Sequence, residues 1–200
     1  MIVECVVTTI DRRGIVNTAP MGPTIDESES FDRFTLRPYQ SSKTFANLNE
    51  TRSGVLHVSD DVLLFAKAAV SEIDASTLDT QPARAVRGLI LKNCKRYYEF
   101  VVDSIDDREP RAIVAARTVA TGRFGDFVGF NRAAHAVIEA AILATRVDLL
   151  PHETIEADFA RLRTIVDKTG GTRAATAFAF LEDYVKNHEY QKLNNKELSQ

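Results

Sequence analysis

The feature that most constrains this chain is a break in character after Gly125. Before it, short runs rich in β-branched and aromatic residues alternate with turn residues; after it, alanine-rich segments repeat apolar side chains at helical spacing. Periods of two and of 3.6 residues demand different backbones. An α+β chain is therefore expected, with a strand-rich domain over residues 1–125 and a helical domain over 126–200.

In the first part, IVECVVTTI (2–10) ends at the turn Asp11-Arg12-Arg13-Gly14, and extended character resumes at Ile15–Ala19, which reads as a hairpin. Pro20 and Pro23 lack N–H donors and Gly22 allows close approach, so ladder pairing should stop there. Further strands are expected over 31–36, 54–58, 89–91, 96–105 and 112–121, about seven in all, a number that suits a small antiparallel barrel. Short helices are expected over 44–50 and 62–70, the second capped from Ser59-Asp60-Asp61, with a loop over 71–88. Three helices should follow. One spans Phe130–Arg146; a second starts near Pro151, with Ile155, Phe159, Leu162 and Val166 on one face; and the third, after Gly170-Gly171, carries Ala174, Phe178, Leu181 and Val185. The polar residues from about Asn187 read as a fraying end.

A formal charge of −3 gives no basic field of the kind that nucleic-acid binders use. Cys5 and Cys94 fit no Cys-x-x-Cys spacing and read as small core residues. With no basic region ahead of a long apolar segment and no run long enough to span a bilayer, a cytoplasmic protein without membrane segments is expected.

Function is suggested by Arg37–Leu48, RPYQSSKTFANL, which packs a guanidinium, Tyr39, Ser41, Ser42 and Thr44 hydroxyls, Lys43 and the Asn47 carboxamide into one loop and helix start. Cations, hydroxyls and unpaired helix-start amides together are what a phosphate needs to leave water. Taken with Asn17–Gly22, the segment is either a pair of ordinary solvated loops or a pocket for a phosphate and a planar ring. In the second reading Arg37 and Lys43 neutralise the phosphate, Ser42 and Thr44 donate to it, and the amides around Ala19 and Met21 and the Asn47 carboxamide meet the ring edge.

The order of these pieces is Asn-x-Ala-Pro-Met-Gly at 17–22, Arg-Pro-Tyr-x-x-Ser-x-Thr-x-x-Asn-Leu at 37–48, and Val-x-His-Val-Ser-Asp-Asp at 55–61. That order resembles the family called domain of unknown function 447. Phe130-Asn131-Arg132-Ala133 and Ile138–Ala141 through Thr145-Arg146 are similar to the same family's helical extension. The resemblance implies an FMN-binding split β-barrel, like those of flavin reductases, followed by a three-helix subdomain. It also implies a homodimer with flavin near the subunit interface. By similarity the phosphate falls to Arg37, Ser42 and Thr44, with Lys43 a weaker contact, and the isoalloxazine edge to Asn17, Ala19, Pro20, Met21 and Asn47.

Flavin chemistry needs no side-chain nucleophile. None is signposted: the chain has no Gly-x-Ser-x-Gly elbow, no Walker loop and no Gly-x-Gly-x-x-Gly fingerprint, so a nicotinamide electron donor would dock without a Rossmann unit. Asn131, His135, Glu139 and Arg146 form a polar stripe at helical spacing, either a solvated face or a substrate-facing one. In the second case His135 and Glu139 are the catalytic candidates, with Arg132 or Arg146 for an anionic substrate group. A metal site is not expected, because a His and a Glu four residues apart lack further ligands. His57 is expected to make a buried hydrogen bond, Asp60 and Asp61 to cap a helix, and Tyr97 and Tyr98 to point to opposite faces of a strand. The expected function is a flavin reductase-like oxidoreductase acting on a small molecule. The rivals are a protein that holds or senses FMN without turnover, and an interaction module that uses its helices.

Overall fold

The computed structural model describes residues 1–197, with side chains through Lys192. Contacts divide the described residues into two compact units, one of residues 1–60 and 72–127, the other of 61–71 and those from 128 onward.

The first unit is built on strands β1 (Val6–Ile10), β2 (Val16–Pro20), β3 (Arg33–Leu36), β4 (Ser53–Val58), β7 (Arg96–Asp106) and β8 (Ile113–Arg123), which form one antiparallel sheet in the order β2-β1-β4-β7-β8-β3. The hairpin β1–β2 turns as its residues predict: Gly14 takes φ +93°, its N–H donates to the Asp11 carbonyl at 3.1 Å, and the Ile15 N–H donates to the Asp11 carboxylate at 2.8 Å. β1 is buried along its whole length, a consequence of sitting between two strands with both faces covered. Cys5, Val7, Phe34, Leu36, Leu48, Leu56, Phe100 and Val114 make the core, and Gly54 is required there, because an added Cβ would fall 2.8 Å from the Phe100 ring.

The ladders do not close this sheet: β2 and β3 are its edges and do not pair with each other. Between them Thr24 bridges Ile2 on one side and Thr35 on the other. Two elements interrupt the expected loop over 71–88, a 3₁₀ turn at Ala75–Thr77 and strand β5 (Thr80–Pro82), which pairs with β6 (Leu89–Leu91) as a separate hairpin. The hairpin is fastened to the sheet through Thr8, whose hydroxyl donates to the Leu89 carbonyl, and through His57.

Helix α1 (Lys43–Thr51) also belongs to this unit, capped by Ser42, whose Oγ accepts from the Phe45 N–H at 3.1 Å. The second unit holds four helices, α2 (Val62–Val70), α3 (Arg132–Ala144), α4 (His152–Thr169) and α5 (Thr172–Glu197). The three helices expected after residue 125 are α3, α4 and α5, and α2 joins them, so this unit has four helices rather than three. Among the described residues α2 arises from within the sheet's sequence, yet it packs Val62 and Ala66 into the helical core. Ile155, Phe159, Leu162 and Val166 of α4, and Ala174, Phe178, Leu181 and Val185 of α5, are buried at the spacing read from the sequence. They meet Ala133, Ala136, Ala140, Ala141 and Ala144 of α3, whose small side chains let the helices approach closely. α5 continues as helix past Asn187, where a frayed end was expected.

Candidate functional site

The two segments singled out in the sequence meet where α1 lies on the β1–β2 hairpin. Asn17 of β2 donates from Nδ2 to the Thr44 hydroxyl of α1 at 3.0 Å, and Asn47, one turn along, donates to the Thr9 hydroxyl of β1 at 3.0 Å. Thr44 and Asn47 are buried, and Asn17 is half-buried. Each carboxamide nitrogen is thus tied to a threonine, and the oxygens of Asn17 and Asn47 have no hydrogen bond of their own among the described residues. Alongside runs a cleft of about 580 Å³ whose lining includes Asn17, Thr18, Lys43, Ala46 and Asn47, with Arg13, Glu50 and Glu72 among its charged residues.

At the head of α1 the first helical amides, Lys43 and Thr44, precede the bond that Ser42 makes to Phe45, so they carry no intrahelical partner. Ser42 is already engaged twice, accepting from Phe45 and donating to the Tyr39 carbonyl at 2.7 Å. Its sequence-predicted phosphate contact must therefore share the hydroxyl with the cap. Lys43 pairs with Glu72 at 2.6 Å on the surface. Arg37 is exposed at the end of β3, and its guanidinium has no hydrogen bond or ion pair among the described residues.

The ring-edge residues divide. Asn17 and Asn47 line the cleft, whereas Ala19, Pro20 and Met21 do not. Met21 is tied into the sheet. Its N–H donates to the Cys5 carbonyl at 2.9 Å and its side chain packs on the sheet core, so the amide expected to meet a ring is committed to backbone. Pairing continues past the two prolines in the same way, since the Val3 N–H donates to the Pro23 carbonyl.

In the helical unit, His135 and Glu139 line a separate cleft of about 360 Å³ between α3 and α4, together with Arg132, Ala136, Arg161, Leu162 and Ile165. Two members of the expected stripe fall away. Asn131 caps α3 by accepting from the Ala134 N–H and donates to the Thr169 carbonyl, and Arg146 lies beyond the helix end, outside this cleft.

Two buried polar groups have structural duties. His57 accepts from the Leu91 N–H at Nε2, so its Nδ1 carries the proton and donates to the Val6 carbonyl at 3.2 Å; burial holds its pKa down at about 4. Glu99, fully enclosed on β7, accepts from the N–H groups of Arg84, Ala85 and Val86 at 2.6–3.2 Å. Sequence reasoning missed Glu99, because a lone Glu in an apolar strand carries no spacing signal for partners fifteen residues upstream. It missed Thr18 and Thr9 as well, which look like ordinary strand threonines.

Fold and site together define an α+β protein whose antiparallel sheet presents a polar helix start beside a cleft. Residues 3–123 match the family described as Protein of unknown function (DUF447) N-terminal domain, and residues 131–183 match Protein of unknown function (DUF447). The chain belongs to this family. Comparison with curated proteins finds no match. Among solved structures, an FMN-bound protein of the same family from Methanosarcina mazei is similar with TM-score 0.79 at 20% identity, over 92% of this chain and 94% of that one. Part of the chain is also similar to 2-nitrobenzoate 2-nitroreductase from Pseudomonas fluorescens, with TM-score 0.51 at 19% identity over 60% of this chain and 64% of that one. An FMN-binding protein from Thermus thermophilus gives TM-score 0.50 at 16% identity, over 61% and 70%.

Proposed function

We propose that this protein binds FMN and is a flavin reductase-like oxidoreductase acting on a small molecule. The observation that carries the reading is the Asn17–Thr44 hydrogen bond, which joins the two motif segments at the start of α1, in a fold similar to that of an FMN-bound member of the family. The donor set fits the group. Arg37, Lys43 and the free amides at the head of α1 suit a phosphate, while the uncommitted oxygens of Asn17 and Asn47 suit the N–H edge of a planar ring. When bound, FMN supplies the electron- and hydride-transfer chemistry.

The chain's own residues bind and orient. Thr44 is held by Asn17 and Asn47 by Thr9, so their directions are set before a ligand arrives. In this reading the sheet is a split barrel, its gap spanned at Thr24, and two copies form a dimer. His135 and Glu139 are the groups proposed to handle protons at the substrate, and a nicotinamide is the proposed electron donor.

The test starts with purified protein in visible light. A yellow preparation whose bands bleach on adding reduced nicotinamide is expected, and a colourless protein that refuses added FMN overturns the proposal. Arg37→Ala and Thr44→Ala should each weaken FMN binding by about 1.5–3 kcal/mol, the worth of a charge-assisted hydrogen bond. His135→Ala should slow turnover with flavin still bound; equal turnover would remove His135 from the chemistry.

A further inference from the structure

The α3–α4 cleft of the helical unit has a composition of its own. Arg132 is the first residue of α3, exposed, and its guanidinium has no hydrogen bond or ion pair among the described residues. Glu139 lies seven residues on, about 10 Å along the helix axis at 1.5 Å per residue, and its carboxylate is likewise without a partner among the described residues. The link from Asn131 to the Thr169 carbonyl sets the start of α3 beside the end of α4, so the helices run antiparallel. Arg161 of α4 therefore stands toward the Glu139 end, where Asp158 holds it at 3.1 Å. Between the two ends the wall is Ala136, Leu162 and Ile165, the first two buried and the third half-buried, with the exposed His135 at its rim.

We propose that this cleft is a binding site for a small organic monocarboxylate whose far end carries a hydrogen-bond donor. The carboxylate takes the Arg132 fork, which matches it in a bidentate way. The apolar body lies along Ala136, Leu162 and Ile165. The far end meets Glu139, which accepts from a hydroxyl and repels a second anion. A volume of about 360 Å³ falls at the lower end of the range for small-molecule sites. The cleft shares Glu139 with the pair proposed above to handle protons, but its test reads ligand affinity, which can be measured whether or not flavin is bound.

Calorimetric titration of the full chain with 4-hydroxybenzoate, benzoate, terephthalate and inorganic phosphate tests it. 4-Hydroxybenzoate should bind saturably and most tightly, benzoate less so, and terephthalate and phosphate least, one for its second charge and the other for lack of an apolar body. Arg132→Ala should weaken 4-hydroxybenzoate by roughly tenfold or more, with Arg132→Gln in the same direction, and Arg146→Ala should leave it unchanged. Glu139→Gln should raise the affinity for terephthalate, an effect of charge that altered folding would not produce. Three results each overturn the site: no saturable binding, equal affinity for phosphate, or an Arg132→Ala affinity equal to that of the unaltered chain. Competitive displacement of 4-hydroxybenzoate by added FMN would also overturn it, by placing the ligand in the flavin site.

Discussion

His57 is enclosed within β4, and both ring nitrogens are used, one by Val6 and one by Leu91. Protonation would put a second N–H against the Leu91 N–H and charge a group that water cannot reach, which is why its folded pKa falls to about 4 from 6.5. Between those values the unfolded chain binds more protons than the folded one, so unfolding free energy rises with pH across that window. The stabilisation is complete above about pH 6.5 and lost as pH falls through 4, with a magnitude on the order of 3 kcal/mol. Urea unfolding from pH 4 to 7 should show this slope in the unaltered chain and a flatter one in His57→Gln; parallel slopes would mean that other groups set the acid sensitivity. Thr18 poses the opposite case. Its hydroxyl is fully enclosed and has no partner among the described residues. Thr18→Val keeps the β-branched shape and removes an unsatisfied group, so stability should stay level or rise by up to about 1 kcal/mol. A loss in the ligand-free chain would show that the hydroxyl has a bound water as partner.

At the scale of elements, the segment between β5 and β6 is ordered by one side chain from another strand. Glu99 collects the N–H groups of Arg84, Ala85 and Val86, which no ladder would otherwise satisfy. Glu99→Gln would turn one acceptor oxygen into a donor facing those amides, costing roughly 1–3 kcal/mol. Hydrogen exchange at Arg84–Val86 should then accelerate well ahead of the β7–β8 ladder, and uniform protection would remove Glu99 as the anchor. This dependence explains why 71–88 looked structureless in the sequence. β5 is three residues long, includes Pro82, and exists through pairing with β6 and the remote Glu99. The helices were legible because Phe159 or Phe178 announces its burial through neighbours three or four residues away. The candidate site was legible as far as polar side chains cluster in sequence: Asn17 meets Thr44, while the partner of Asn47 is Thr9, a residue that no polar cluster announces. It failed for Met21, because whether a backbone amide is free depends on a partner, Cys5, sixteen residues away.

For the whole molecule, the consequential finding is that the two units do not divide the chain at one point. α2 is encoded between β4 and β5, but Val62 and Ala66 are buried in the cluster formed with α3, α4 and α5, and Leu63, Ala69 and Val70 pack against it. A fragment ending at residue 127, which the composition break would suggest as the sheet domain, leaves α2 without that cover. Burying such side chains is worth about 25 cal/mol per Å² of apolar surface, so exposing several together makes an adhesive helix. Residues 1–127 should therefore aggregate or bind a hydrophobic dye strongly. The same fragment with 61–71 replaced by a flexible polar linker should stay monodisperse and keep its strand signal in circular dichroism, because α2 belongs to the helical unit. If both fragments behave alike, α2 is not what binds the two stretches of the helical unit together, and the division at 125/126 would serve after all.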